Sequence, residues 1–185
     1  MKNKFNTLYN TFKKYTIEHP EIFFSRIEEY DWYTIEHFSY RLASFYDFDT
    51  LEKLEMRWIA FIYGKEIKTP KLFTVWFHKF FNYWEGDTIE NIGNIEIESI
   101  TNKLDGSLIM IWKMPDWEIL AKTKTTINNE QSIKAKGIID NNPNLKRFIN
   151  DLIEQWLYPL FEYIWIDNKI VVTYPERDLT LLAIY

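Results

Sequence analysis

Lys103-Leu104-Asp105-Gly106-Ser107, followed by Leu108-Ile109-Met110-Ile111-Trp112-Lys113, decides how the rest of this chain is read. The second part is an apolar run of strand length closed by a lysine. The first part sets a lysine, one free position and then Asp-Gly-Ser, so an amine stands beside a tight turn that leads into the strand. An amine attacks phosphorus only when unprotonated, and burial and neighbouring cations both lower a lysine's pKa. Arg57, Lys79, Lys122 and Lys124 lie at the ends of expected strands and supply such cations. The same cations would bind a triphosphate and spread the transition-state charge. Asp105 and Gly106 would shape the turn, with Ser107 donating a hydrogen bond inside it. An ordinary hairpin turn with a solvated lysine carries the same five residues, so the pentapeptide alone leaves both readings open.

Downstream, Met114-Pro115-Asp116 reads as a turn and 117–126 as the next strand. A helix is expected over 129–139. The clearest helix runs from Pro143 to Trp156, capped by Asn142, with Pro143 at its first position and an apolar stripe of Leu145, Phe148, Ile149, Leu152, Ile153 and Trp156. Pro159 stops it, and three apolar strands follow over 161–166, 169–174 and 179–185, the first two joined at Asp167-Asn168. Upstream, Phe5, Leu8, Phe12 and Tyr15 predict an amphipathic helix over 5–17, and Pro20 a short second helix through Ile27. The stretch 30–48 is crowded with rings and reads as irregular strand and loop. Leu51 to Glu55 is a turn or short helix. Residues 57–63 form a buried strand, turned at Gly64-Lys65 against 72–77, which His78-Lys79-Phe80-Phe81-Asn82 closes. Acidic, turn-rich sequence over 85–94 precedes an alternating strand at 95–98. The pattern predicts an α+β fold, an antiparallel sheet flanked by helices, in one domain or one domain with a small appendage, without visible linker or repeat.

Composition narrows the function classes. At 185 residues and 46% hydrophobic the chain can bury a core, and 8 Trp, 12 Tyr and 14 Phe make rings dominate it. No Cys is present, which removes disulfides, thiolate zinc sites and cysteine nucleophiles and fits a reducing cytoplasm. A net charge of −5 argues against a general nucleic-acid coat but leaves room for a few lysines focused in one cleft. No signal peptide opens the chain, and no apolar run is long enough to span a bilayer. His19, His37 and His78 have no paired metal-ligand spacing and read as surface or satisfied core residues, so no protein metal site is expected. Phe80-Phe81 is most simply core, and Glu96 and Glu98 a solvated strand face.

The ordered set of segments resembles the tRNA-repair type of RNA ligase from T-even bacteriophages, a branch of the covalent nucleotidyltransferases. The likeness covers nearly the whole chain and keeps order and spacing. Residues 38–47, Phe-Ser-Tyr-Arg-Leu-Ala-Ser-Phe-Tyr-Asp, are similar to an aromatic stretch near that family's amino terminus. Arg57 matches an arginine that contacts the ATP phosphates, and Lys79 and Phe81 match nucleotide-contact positions of a Lys-Phe-Phe-Asn segment. Lys103 corresponds to the lysine that becomes adenylated. Lys124, in Lys122-Thr123-Lys124-Thr125-Thr126, matches a phosphate-contacting lysine, although Thr-Thr stands where the family usually has Gly-Ser. Glu162, in Phe161-Glu162-Tyr163, matches a glutamate that binds the adenosine ribose. Residues 169–174 and 179–182 match the strand pair that follows.

The resemblance implies the nucleotidyltransferase fold in incomplete form, with ATP and Mg²⁺ required and RNA carrying 5′-phosphate and 3′-hydroxyl ends, such as cleaved tRNA, as substrate. The cytoplasm, a host's if the chain is phage-encoded, is the implied location. Two of the family's signatures, an acidic-Gly strand and a Lys-x-Lys strand, and its carboxy-terminal domain are not matched before Tyr185. Residues 1–185 are therefore expected to be the amino-terminal portion of an adenylation domain. They are either a piece of a longer ligase or a half whose remainder is separately encoded, and the apolar final strand is expected to bind that partner or a second copy. Slow or absent self-adenylation of the isolated chain follows. A non-catalytic interaction subunit on the same truncated fold is the competing expectation.

Overall fold

The computed structural model describes residues 2–82, 85–86, 96, 98–165, 171–172, 174–175 and 178–185, with side chains from residue 6 onward. It forms two compact units, Met1–Lys103 and Leu104–Tyr185.

In the first unit, helix α1 (Lys2–Glu18) precedes strands β1 (Phe23–Tyr30) and β2 (Tyr33–Tyr40), a short helix α2 (Leu51–Glu55), and strands β3 (Ile59–Gly64) and β4 (Ile67–Thr74). The strands follow one another in the order β1-β2-β3-β4, each antiparallel to the last. The helix expected from the ring spacing of α1 forms, and it sets Tyr9 and Phe12 against Phe38 and Phe61 of the sheet at centroid distances of 5.4–6.0 Å. The short helix expected after Pro20 does not form. Phe23 instead opens β1, buried beneath Tyr15 and Phe48, and the full register from Phe23↔Tyr40 to Tyr30↔Tyr33 makes a hairpin of what the sequence suggested was helix followed by irregular chain. Tertiary burial of one ring overrides a weak local start signal.

The β3–β4 hairpin turns where expected. Gly64 sits at φ 107°, and a Cβ there would meet the carbonyl oxygen of Trp32 at 2.7 Å, so only glycine fits. β4 begins and ends earlier than expected, and the segment from Val75 to Asn82 has no regular structure.

The second unit contains β5 (Ser107–Lys113), β6 (Ile119–Lys122), α3 (Glu130–Asp140), α4 (Pro143–Glu154), β7 (Pro159–Ile164) and β8 (Asp178–Ile184). Its sheet is antiparallel in the order β6-β5-β7-β8. The second helix begins on the cap that the sequence predicts, Asn142 accepting from the Leu145 amide at 3.1 Å; the first begins one residue later than expected, with Asn129 as its cap, accepting from the Ser132 amide at 2.9 Å. They cover one face of the sheet, where Ile109, Ile111, Ala121, Phe161, Tyr163 and Leu179 meet Ala135, Ile139 and Ile149.

β6 is shorter than the expected 117–126. Trp117 lies in a turn at φ 75°, and the bond from the Thr123 amide to the Thr126 carbonyl (3.0 Å) ends the strand. Pro159 begins β7 as well as following α4. The expected Asp167-Asn168 hairpin, half of the 169–174 strand, most of 85–94 and half of 95–98 lie outside the described residues; Val171 and Val172 form a bend, and Glu96 and Glu98 are exposed. The class is α+β as expected, built as two antiparallel sheets, and is compatible with part of a nucleotidyltransferase fold. No described helix is long and apolar enough to cross a membrane.

Candidate active site

Lys103 is exposed and ends the first unit; the turn that follows it is built entirely within the second. There Asp105 does the shaping. Its carboxylate accepts the backbone amides of Val171 and of Val172, the latter at 2.6 Å, while its own amide donates to the Tyr174 hydroxyl at 3.0 Å. Two N–H donors on one carboxylate oxygen form a charge-assisted pair. The aspartate therefore acts across the fold rather than within a local turn, as its Asp-Gly context had implied. Gly106 is needed for a different reason: an added Cβ would stand 2.3 Å from the Tyr163 carbonyl oxygen, so only a hydrogen fits where β5 enters beside β7. Ser107 then opens β5 opposite Tyr163.

Alternation along β5 puts Ile109 and Ile111 against the helices and Leu108 and Met110 on the opposite face. Register places Glu162 of β7 opposite Leu108, and Lys122 of β6 opposite Met110, so both polar residues share that second face in neighbouring rows. Glu162 is 9% exposed and Lys122 only 1%. The Lys122 ammonium donates to the carbonyls of Thr123 (3.0 Å) and Lys124 (3.2 Å), which holds the turn that follows β6. Lys124 lies two residues beyond the strand end and is exposed. Of the two lysines in this segment, one is a buried brace and the other is presented to solvent. The sequence pattern did not separate those roles.

In the first unit, Arg57, Lys79 and Phe81 form a cation–aromatic cluster. The Arg57 guanidinium donates to the His78 carbonyl at 3.0 Å, and its carbon sits 4.6 Å from the centroid of Phe80. Trp58, next in sequence, adopts φ 64°, a conformation a bulky residue holds only under constraint, and its ring meets the edge of Phe24 at 5.8 Å. The Lys79 ammonium lies 4.4 Å from the centroid of Phe81 and 3.8 Å from the Glu85 carboxylate. Phe81 packs on Phe45 (4.8 Å) and Phe48 (5.7 Å), and Phe48 on Tyr40 (4.8 Å). Burial pushes the Tyr40 phenol up; Arg57 opposes that shift and Glu85 adds to it. Phe80 and Phe81 are not the core pair expected: Phe81 is half-buried against Phe45 and Phe48, and Phe80 is 64% exposed.

The expected site residues thus occur as two groups, Arg57, Lys79 and Phe81 on one unit and Asp105, Gly106, Ser107, Lys124 and Glu162 on the other, with Lys103 at the end of the first. The histidines have protein partners: buried His37 meets Glu28 at 3.2 Å, His19 meets Glu21 at 3.9 Å and His78 meets Glu55 at 3.8 Å. Among the described residues no group of three His, Asp or Glu side chains could hold a metal ion. Sequence reasoning missed Tyr174 and the burial of Lys122. The lone tyrosine carried no signal, whereas the period-2 alternation of β6 placed Lys122 on a sheet face.

A family model described as RNA ligase matches residues 56–185. A protein of Thermovibrio ammonificans named "Putative RNA ligase" is 29% identical over 165 residues, covering 88% of this chain and 41% of that protein. The chain thus spans less than half the length of that relative. With more than half of its length matched, including every expected site residue from Arg57 to Glu162, the chain belongs to the T4-type RNA ligase family.

Proposed function

We propose that this chain is the amino-terminal, nucleotide-binding portion of an ATP-dependent RNA ligase and that Lys103 is its nucleophile. The observation that carries the reading is that the family match spans Arg57, Lys79, Phe81, Lys103, Lys124 and Glu162 together. The Lys103 amine, once deprotonated, attacks the α-phosphorus of ATP; a P–N bond forms and the P–O bond to pyrophosphate breaks. The adenylate passes to an RNA 5′-phosphate, which regenerates the amine. A 3′-hydroxyl then attacks that 5′-phosphorus and releases AMP, sealing the strand. Arg57, Lys79 and Lys124 would hold phosphate oxygens, Phe81 the base and Glu162 the ribose hydroxyls. Asp105, Gly106 and Ser107 fix the turn that carries the nucleophile.

Magnesium would be bound with the nucleotide's phosphates, where it would screen their charge. Cleaved tRNA as substrate and a cytoplasmic location belong to the same proposal.

The test is incubation with α-labelled ATP and magnesium, followed by denaturing electrophoresis and peptide mapping, with the Thermovibrio relative run alongside. Slow or absent label on Lys103 is expected of this chain, any label being lost in Lys103→Ala, while the longer relative labels readily. Label that persists in Lys103→Ala, or none on the longer relative, refutes the reading. A non-catalytic interaction subunit is the second reading, favoured by the edge strand β8, which leaves Leu181, Leu182 and Ile184 exposed. It predicts a stable complex with a separately encoded remainder, or with a second copy, without gain of ligation. Sedimentation and a ligation assay on the mixture decide it.

A further inference from the structure

We propose that Phe80, backed by Arg57, is a stacking platform for one unpaired nucleotide of the RNA strand; this rests on the RNA ligase reading above. The chain around Phe80 is pinned although it belongs to no strand. The Lys79 amide donates to the Leu54 carbonyl at 2.9 Å, and the His78 carbonyl accepts from Arg57 at 3.0 Å. Phe81 is drawn inward onto Phe45 and Phe48, which turns its neighbour outward and leaves Phe80 64% exposed. The guanidinium carbon lies over the ring, 4.6 Å from the Phe80 centroid.

A single exposed apolar side chain is ordinary on a protein surface. Phe80 differs in being held by fixed backbone on its amino-terminal side and by a cation across its face, so the ring is presented rather than merely uncovered. A ring of this kind accepts any base, since every base has a π face, and stacking needs no sequence readout. The charge is right for the rest of a nucleotide. Arg57 uses one N–H on His78, and its remaining donors suit a backbone phosphate. Arg57 thereby serves two roles, phosphate contact and brace for the ring.

The test uses a 5′-phosphorylated single-stranded oligoribonucleotide carrying 2-aminopurine, titrated into the 185-residue chain. Saturable quenching of the probe by the parent chain is expected. Phe80→Ala is expected to weaken binding about tenfold and remove most of the quenching, while Phe80→Trp restores both. An unchanged thermal unfolding midpoint for Phe80→Ala shows that the loss is local. If the parent binds RNA and Phe80→Ala binds it with equal affinity and equal quenching, the platform is overturned while the ligase reading stands. If Phe80→Ala binds RNA normally but alters sedimentation, the ring is a protein contact and the platform is again overturned. A parent chain that binds no RNA but labels Lys103 with adenylate overturns the platform, and the adenylation reading survives.

Discussion

Neutralising Glu36 is expected to remove a large part of the first unit's stability. Glu36 lies on β2 at 1% exposure, where its carboxylate accepts from the Tyr9 hydroxyl at 2.7 Å and the Lys13 ammonium at 2.9 Å, with the Tyr63 hydroxyl at 3.5 Å. Burial raises the Glu36 carboxyl, but the hydrogen bonds from Lys13, Tyr9 and Ser25 outweigh it and hold the group below the usual carboxylate value. Burial and the Glu36 hydrogen bond likewise push the Tyr9 phenol far up, so it stays a donor throughout the working range. Hydrogen bonds to a charged group contribute about 1.5–3 kcal/mol each. In Glu36→Gln one amide oxygen still accepts, but the amide nitrogen faces another donor, so the net cost is about 2–4 kcal/mol. Lys13→Met costs less, about 1–2 kcal/mol, because its side chain is 40% exposed and the tyrosine hydroxyls remain.

Urea unfolding followed by tryptophan fluorescence measures both variants. Because the folded pKa lies below the unfolded value of about 4.3, the charge's contribution is complete above that value and fades as pH falls through the folded one. The gap between parent and Glu36→Gln should therefore stay constant from neutral pH down to about 4.3 and shrink below it. A gap under about 0.5 kcal/mol at neutral pH, or one that widens on acidification, refutes the reasoning.

Gly106→Ala should destabilise the second unit by about 1–3 kcal/mol, since the new methyl meets backbone rather than a yielding side chain, as chemical denaturation would report. Asp105→Ala should release the amides of Val171 and Val172, raising their hydrogen exchange at least tenfold while the β5–β6 hairpin keeps its protection. Lys122→Met should cost about 1–3 kcal/mol by stripping two carbonyls of their donor. Lys124→Ala should slow any Lys103 labelling on the order of a hundredfold.

Elements whose local signals and burial agree were legible in the sequence. α4 carried a cap, a first-turn proline and a stripe, and it forms nearly as read; α1 and β5 did the same through periodicity alone. β1 was misread because Phe23, Phe24 and Ile27 fit a helical face as well as a strand, and only the rings of Tyr15 and Phe48 decide between them. The order of segments that the family match spans was legible as residue types in sequence, the lysines and Glu162 among them. Their separate duties were not. Lys122 and Lys124 differ in burial because β6 ends between them, and that end is set by a bond from Thr123 to Thr126 that composition does not announce. Glu36 looked like one more acid in an aromatic stretch; its importance comes from a helix that crosses the sheet above it.

The Asp105 carboxylate reaches amides 66 and 67 residues away. Such closure has a large entropic cost, and contacts of that span form after local ones. The β5–β6 hairpin and the α3–α4 pair can assemble on short loops, whereas the turn that carries Lys103 waits for the segment at Val171 to Tyr174. Synthesis from the amino terminus therefore leaves this turn unfixed until Val171 and Val172 have emerged. The turn is thus among the last parts of its unit to be held in place, which pulse-labelled exchange at Val172 would register as a late-protected amide.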